Sequence, residues 1–134
     1  MKSIRKWAVL SFAAAVFIAV VGVISAQSSA IKRTVVYKGD VSVPGREAVI
    51  AQVEIAPGGR AGRHTHPGDE ISYVIEGEGE LLIDGQPPRK FKAGDGFSIS
   101  AGLTHDAHNT GTQPLKLAGI YVVEKGKPIA TPAP

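Results

Sequence analysis

The sequence has no cysteine in its 134 residues, and only one methionine and one tryptophan. Without thiols there is no disulfide scaffold, no Cys-ligated zinc, no iron–sulfur cluster and no cysteine nucleophile. Any metal site must be built from His, Asp or Glu. Aromatic residues are scarce, at 6%. Trp7 and Met1 fall in an N-terminal leader, and five aromatic side chains follow it: Tyr37, Tyr73, Phe91, Phe97 and Tyr121. Such a chain is poorly supplied to line a wide aromatic pocket, which favours a small ligand.

Net charge is the next scarcity. The formal value is +3, from 15 Lys+Arg and 12 Asp+Glu. A basic protein invites a nucleic-acid reading. Lys2, Arg5 and Lys6, however, lie in the first six residues, and removing those three from 15 leaves 12 basic against 12 acidic residues. The remainder is neutral, so no nucleic-acid partner is expected.

Met1–Lys6 is positive, Ala8–Ile24 is an uncharged run of 17 residues, and Ser25–Ala30 is small and polar. These are the three parts of a secretory signal peptide, with cleavage expected after Ala26. The rival reading is an uncleaved anchor, since with Trp7 the run nears the roughly 20 residues that span a bilayer. Both readings keep the positive end inside and export the domain, to the periplasm or beyond the cell in one case and to the outer side of the inner membrane in the other. The expected organisation is a leader over 1–26, one domain over 27–124 and a Pro-rich, loosely held tail over 125–134.

Fifteen of the 16 glycines and all nine prolines follow Ala30, which leaves long helices no room. Short alternating segments lie between them. Val49, Ala51, Val53 and Ile55 share one strand face, and so do Leu115, Leu117, Gly119, Tyr121 and Val123. Further strands are predicted over 32–37, 71–76, 80–84, 89–92, 96–100 and 105–109. Asp84-Gly85 predicts a hairpin turn, and Glu78-Gly79 a second reversal. The spacing argues for an all-β sandwich or closed barrel, jelly rolls included.

Histidine carries the chemical signal. There are four: His64, His66, His105 and His108. Positions i and i+2 of a strand point to the same face, so His64 and His66 can reach one point in space. Pro67-Gly68 can turn the chain and return Glu70 to that point. His105 can complete the set from a distant strand if a barrel closes. Three imidazoles and a carboxylate suit iron, manganese, nickel, cobalt, copper or zinc. His108 falls on the opposite parity from His105 and reads as surface or rim. Arg60 and Arg63 read as solvated loop charge, with an anionic substrate as the alternative. Glu76, Glu78 and Glu80 read as a solvated acidic turn.

The segment from Gly58 through His64, His66 and Glu70 to Gly77 resembles the first cupin motif, G-x5-H-x-H-x3-E-x6-G. Gly94, Gly102, His105 and Asn109 resemble the second, G-x5-P-x-G-x2-H-x3-N, with Ser100 in place of proline. Sixteen residues separate Gly77 from Gly94, as in small single-domain bacterial cupins. The resemblance implies a double-stranded β-helix, or jelly-roll barrel, of six to eight strands with a divalent transition metal inside. It implies His64, His66, Glu70 and His105 as ligands, Glu70 also as a general base, and a homodimer. It is similar to quercetinase-like cupins, which implies dioxygenase chemistry on a small-molecule substrate. A non-redox isomerase or lyase, or a binding module without turnover, are the alternatives, because this fold hosts many chemistries.

Overall fold

Alternating burial along each strand is the pattern from which the architecture is built. The computed structural model describes residues 30–134. The segment read as a signal or anchor lies outside them. Among the described residues there are ten strands: β1 Ile31–Asp40, β2 Arg46–Ile55, β3 His64–Thr65, β4 Gly68–Glu76, β5 Glu78–Ile83, β6 Arg89–Lys92, β7 Gly96–Ile99, β8 His105–Asn109, β9 Leu115–Glu124 and β10 Thr131–Pro132. They form two five-stranded sheets, ordered β1-β2-β9-β4-β7 and β10-β3-β8-β5-β6.

The first sheet is organised on β9, which pairs with β2 on one edge and β4 on the other, both antiparallel. In β9 every second residue is buried, from Leu115 to Val123. In β2 the buried set is Val49, Ala51, Val53 and Ile55, as the alternation predicts. The second sheet supplies Leu81, Phe91 and Ala107 to the same core. The apolar faces of both sheets thus meet in one core, which is what a two-layer β domain requires.

Several turns sit where the sequence places them. Gly58, Gly77, Gly94 and Gly102 all have positive φ, between 69° and 92°, where a side chain would be strained. Asp84 and Gly85 fall in the hairpin between β5 and β6, closed by Gln86 N–H donating to the Ile83 carbonyl at 3.0 Å. Ser100, where the motif has proline, still accepts a turn bond from Leu103 N–H at 3.3 Å.

Three expectations need correction. The implied barrel had six to eight strands; the larger number comes from β1 and from the two-residue strands β3 and β10. The reversal predicted at Glu78-Gly79 occurs one residue earlier, at Gly77, whose φ is 85°. Gly79 lies instead inside β5, where a Cβ would press on the His108 carbonyl and the Phe91 ring. The tail is not loose. Thr131 and Pro132 pair with β3, and Ala133 N–H donates to the Arg63 carbonyl at 3.0 Å. Ile129 packs against the core. The prolines exclude helix but tolerate an edge strand, where a missing N–H leaves no ladder bond broken.

Candidate metal centre

Two strands and one corner bring the histidines together. His64 opens β3 and pairs opposite His105, which opens β8. His66 follows β3 on the same parity as His64. Pro67 then carries the chain from the second sheet to the first, where β4 begins. Its carbonyl is held there by Glu124 N–H and by Arg46 Nη1, each at 3.0 Å. Glu70 lies in β4 opposite Tyr121 of β9. The donor atoms of His64, His66, Glu70 and His105 all lie within 4.8 Å of one another, and all four residues are buried.

The hydrogen bonds fix which nitrogen of each ring is available. His64 Nδ1 donates to the Gly62 carbonyl at 2.6 Å, His105 Nδ1 to the Leu103 carbonyl at 2.9 Å, and His66 Nδ1 to the Ile129 carbonyl. A carbonyl can only accept, so each Nδ1 carries a proton, and Nε2 is the nitrogen whose lone pair the neutral ring offers. The Nε2 atoms of His66 and His105 are buried without a hydrogen-bond partner. They stand 2.8 Å and 3.4 Å from the same oxygen, Glu70 Oε2. Two bare lone pairs facing one carboxylate oxygen would repel, so the contact calls for a positive centre among them, a shared proton in the metal-free protein or a metal ion in its place. Neutral, oriented imidazoles backed by carbonyls are the usual way a protein prepares metal ligands, so this donor set fits a divalent transition ion.

The electrostatics agree. Burial pushes His64 down to about 4, opposed by its bond to Gly62 and reinforced by the charges of His105, Arg33 and His66. It is therefore neutral near pH 7. Burial alone would raise the Glu70 carboxyl, but His105, His66 and the Ser72 hydroxyl outweigh it and hold the group well below the usual carboxylate range. Ser72 Oγ donates to Glu70 Oε1 at 2.6 Å, which leaves Oε2 for the cluster. Ser72 shares Glu70's inward face and Tyr73 points out, as parity predicts.

The remaining residues singled out from the sequence lie elsewhere. His108 is half-buried, in β8 opposite Glu80. Arg60 pairs with Asp106 at 3.1 Å, and Asp106 also accepts from Gly62 N–H at 2.9 Å. That pair braces the loop leading into His64. Arg63 grips Asp84 at 2.7 and 2.8 Å. Neither arginine lines the cavity. Asn109 is fully buried and structural: its Nδ2 donates to the Ile55 and Gln113 carbonyls at 2.9 and 2.8 Å.

Three participants were not singled out from the sequence. The Tyr121 ring packs on His66 at 4.8 Å, and burial, with the Glu70 charge, pushes its phenol up to about 12. Arg33 of β1 points inward, and its Nη2 donates to His64 Nε2 at 3.2 Å. Ile129 supplies the carbonyl behind His66. The parity of Ile31 and Arg33, and that of Tyr121 with Leu117, was the only available signal. The cavity lined by His64, Glu70 and His105 is about 20 Å³ and includes Arg33 and Tyr121 in its walls. It has room for about one water.

These two sheets, closed around a cluster of three histidines and one glutamate, define a cupin-type double-stranded β-helix. The family model described as a cupin domain matches residues 51–124, and the chain belongs to that family. Among curated proteins, the oxalate-binding protein of Thermotoga maritima is 32% identical over 76 residues, covering 56% of this chain and 62% of that protein. The dimethylsulfoniopropionate lyase DddQ of Ruegeria pomeroyi is 40% identical over 42 residues, covering 31% of this chain and 21% of the lyase. The match thus spans less than two thirds of the length of either relative. Among solved structures, a cupin-like protein of Thermotoga maritima superposes with a TM-score of 0.65 at 24% identity, covering 79% of this chain and 77% of that one.

Proposed function

We propose that this chain is an exported metal-dependent cupin enzyme acting on a small organic substrate, with dioxygenase-type chemistry at the His64, His66, Glu70 and His105 centre. The observation that supports it is the buried cluster of three imidazoles and Glu70 within 4.8 Å of one another, with His66 and His105 Nε2 turned on Glu70 Oε2 and each ring oriented by a backbone carbonyl. A bound divalent transition ion supplies a Lewis acid and, if redox-active, a route for electrons to dioxygen. The chain's own residues do the rest. The three histidines and Glu70 would hold the ion. Ser72 orients the Glu70 carboxylate. A carboxylate held so far below its usual range serves first as a ligand. As a general base Glu70 would suit only a substrate with an acidic proton. Tyr121 stays a neutral phenol and can donate a hydrogen bond to a substrate oxygen.

The size of the cavity favours substrates much smaller than a flavonol. A second reading, non-redox turnover or simple capture of a small organic acid, is favoured by the relatives, named for oxalate binding and for a lyase of a propionate derivative. A homodimer also fits. The outer face of β4 exposes Ile71, Tyr73 and Ile75, and apolar sheet faces of this kind pack against partners.

Metal analysis of the purified domain tests the centre. About one transition ion per chain is expected, with at least a tenfold loss of affinity in His66→Ala and His105→Ala. Equal metal content in all three proteins would sink the assignment. Oxygen uptake with catechols and diketones, under iron, manganese and nickel loading, then separates the two readings. Uptake supports the dioxygenase, and none in any loading leaves the organic-acid reading.

A further inference from the structure

We propose that Arg33 is the anchor of a small carboxylate ligand, held between its guanidinium and the ion. This rests on the metal reading above and names the ligand class of that site. Arg33 pairs opposite Val53, a core residue, so its side chain lies on the inward face of β1. Its Nε is buried and has no hydrogen-bond partner. Its Nη2 donates to His64 Nε2 at 3.2 Å. In a guanidinium, the Nε and Nη2 N–H groups run parallel along one edge. That edge matches the two oxygens of a carboxylate, which is the strongest and most directional partner arginine finds. Here Nη2 rests on an imidazole lone pair and Nε on nothing, while the guanidinium also interacts with the Tyr121 hydroxyl.

The lone pair is the one an ion would take. Once His64 Nε2 is a metal ligand, Nη2 loses that acceptor. Nε, already unpaired, and an Nη2 freed from the imidazole then stand in a site where unpaired polar groups are costly. Charge makes the same demand. A divalent ion brings two positive charges and Arg33 one, against a single negative charge on Glu70. Buried charge is tolerated when it is paired, and a small anion coordinated to the ion and clasped by Arg33 supplies the pairing. A dianion would balance the site fully. A neutral sugar or diketone would not.

Arg33 also stands where such an anion would enter. Of the residues around the cavity, Ile31, Arg33 and Ala61 are half-buried and all others are buried. The cavity therefore meets solvent on the β1 side, and the charge at that side is positive.

The test uses manganese-loaded domain titrated with oxalate and with glycolate by calorimetry. Metal content is measured before and after desalting, so that chelation of the ion by the probe is seen. Wild type is expected to bind one probe molecule per chain. Arg33→Gln should bind at least tenfold more weakly with unchanged metal content. Arg33→Lys keeps the charge but not the parallel edge, so it should fall between the two. Equal affinity in wild type and Arg33→Gln would overturn the anchor while leaving the metal centre standing. So would wild type that holds manganese but binds neither probe. A wild type that holds no ion overturns the metal reading itself, and the anchor with it.

Discussion

His64 ties the stability of the metal-free protein to pH in the range just below neutrality. Its folded value, about 4, lies below the ordinary 6.5. Between these values the unfolded chain binds a proton that the folded chain refuses, so stability is complete above pH 6.5 and falls as pH drops toward 4. Glu70, also depressed on folding, adds loss in the same direction as pH falls through the usual carboxylate range and below. The melting temperature of chelator-treated protein should therefore decline from about pH 7 to about pH 4. A flat profile would contradict a neutral, buried His64. Asn109 offers a second test at this scale. Asn109→Ala strips the donor from two carbonyls, those of Ile55 and Gln113. The expected loss is about 2–6 kcal/mol of unfolding free energy, from roughly 1–3 kcal/mol for each of the two orphaned carbonyls, read from a urea titration. The four metal donors were legible in the sequence because their spacing is local: i and i+2 on one strand, a Pro-Gly corner, and a motif around His105. Arg33 and Tyr121 were not. Each reaches the site only because distant strands close on each other, and an inward arginine in a short alternating stretch reads like any surface charge.

At the scale of elements, β9 carries most of the design. It joins β2 to β4 and delivers Tyr121 over His66. Tyr121 can lie back along its own strand because position 119 has no side chain. A Cβ at Gly119 would stand 2.6 Å from the Tyr121 hydroxyl and 2.9 Å from Cζ. Gly119→Ala should force the phenol off the His66 ring. The expected cost is about 1–3 kcal/mol of overpacking, and manganese affinity should fall as well. A urea midpoint and a metal titration equal to wild type would show that the ring has another place to go. The long strands β2 and β9 were legible because period-2 burial repeats over ten residues in each. β3 and β10, two residues each, carry no such period. They exist because their neighbours hold them.

For the whole molecule, the C-terminal segment matters more than its composition suggests. It closes the edge of the second sheet as β10 and places the Ile129 carbonyl behind His66 Nδ1. Deleting residues 128–134 should release the His66 tautomer and expose part of the core. Outer partners of metal ligands are typically worth about 10–100-fold in affinity. A loss of that size is expected in a competitive chelator titration, with the fold retained by circular dichroism. Unchanged affinity would mean that His66 finds another acceptor. A run of Pro and Ala reads as a loose tail, and only the closed barrel shows it as a brace.

The family match begins at residue 51 and ends at residue 124. Arg33 precedes it, and Ile129 follows it. The shared stretch supplies all four donors, while the group that would choose the anion and the carbonyl that sets one ligand's tautomer come from the two flanks. Two cupins could therefore agree at every motif position and still differ in what they take up and how tightly they hold their ion. Transfer of function between them is safest when the strands on either side of the shared barrel are compared as well.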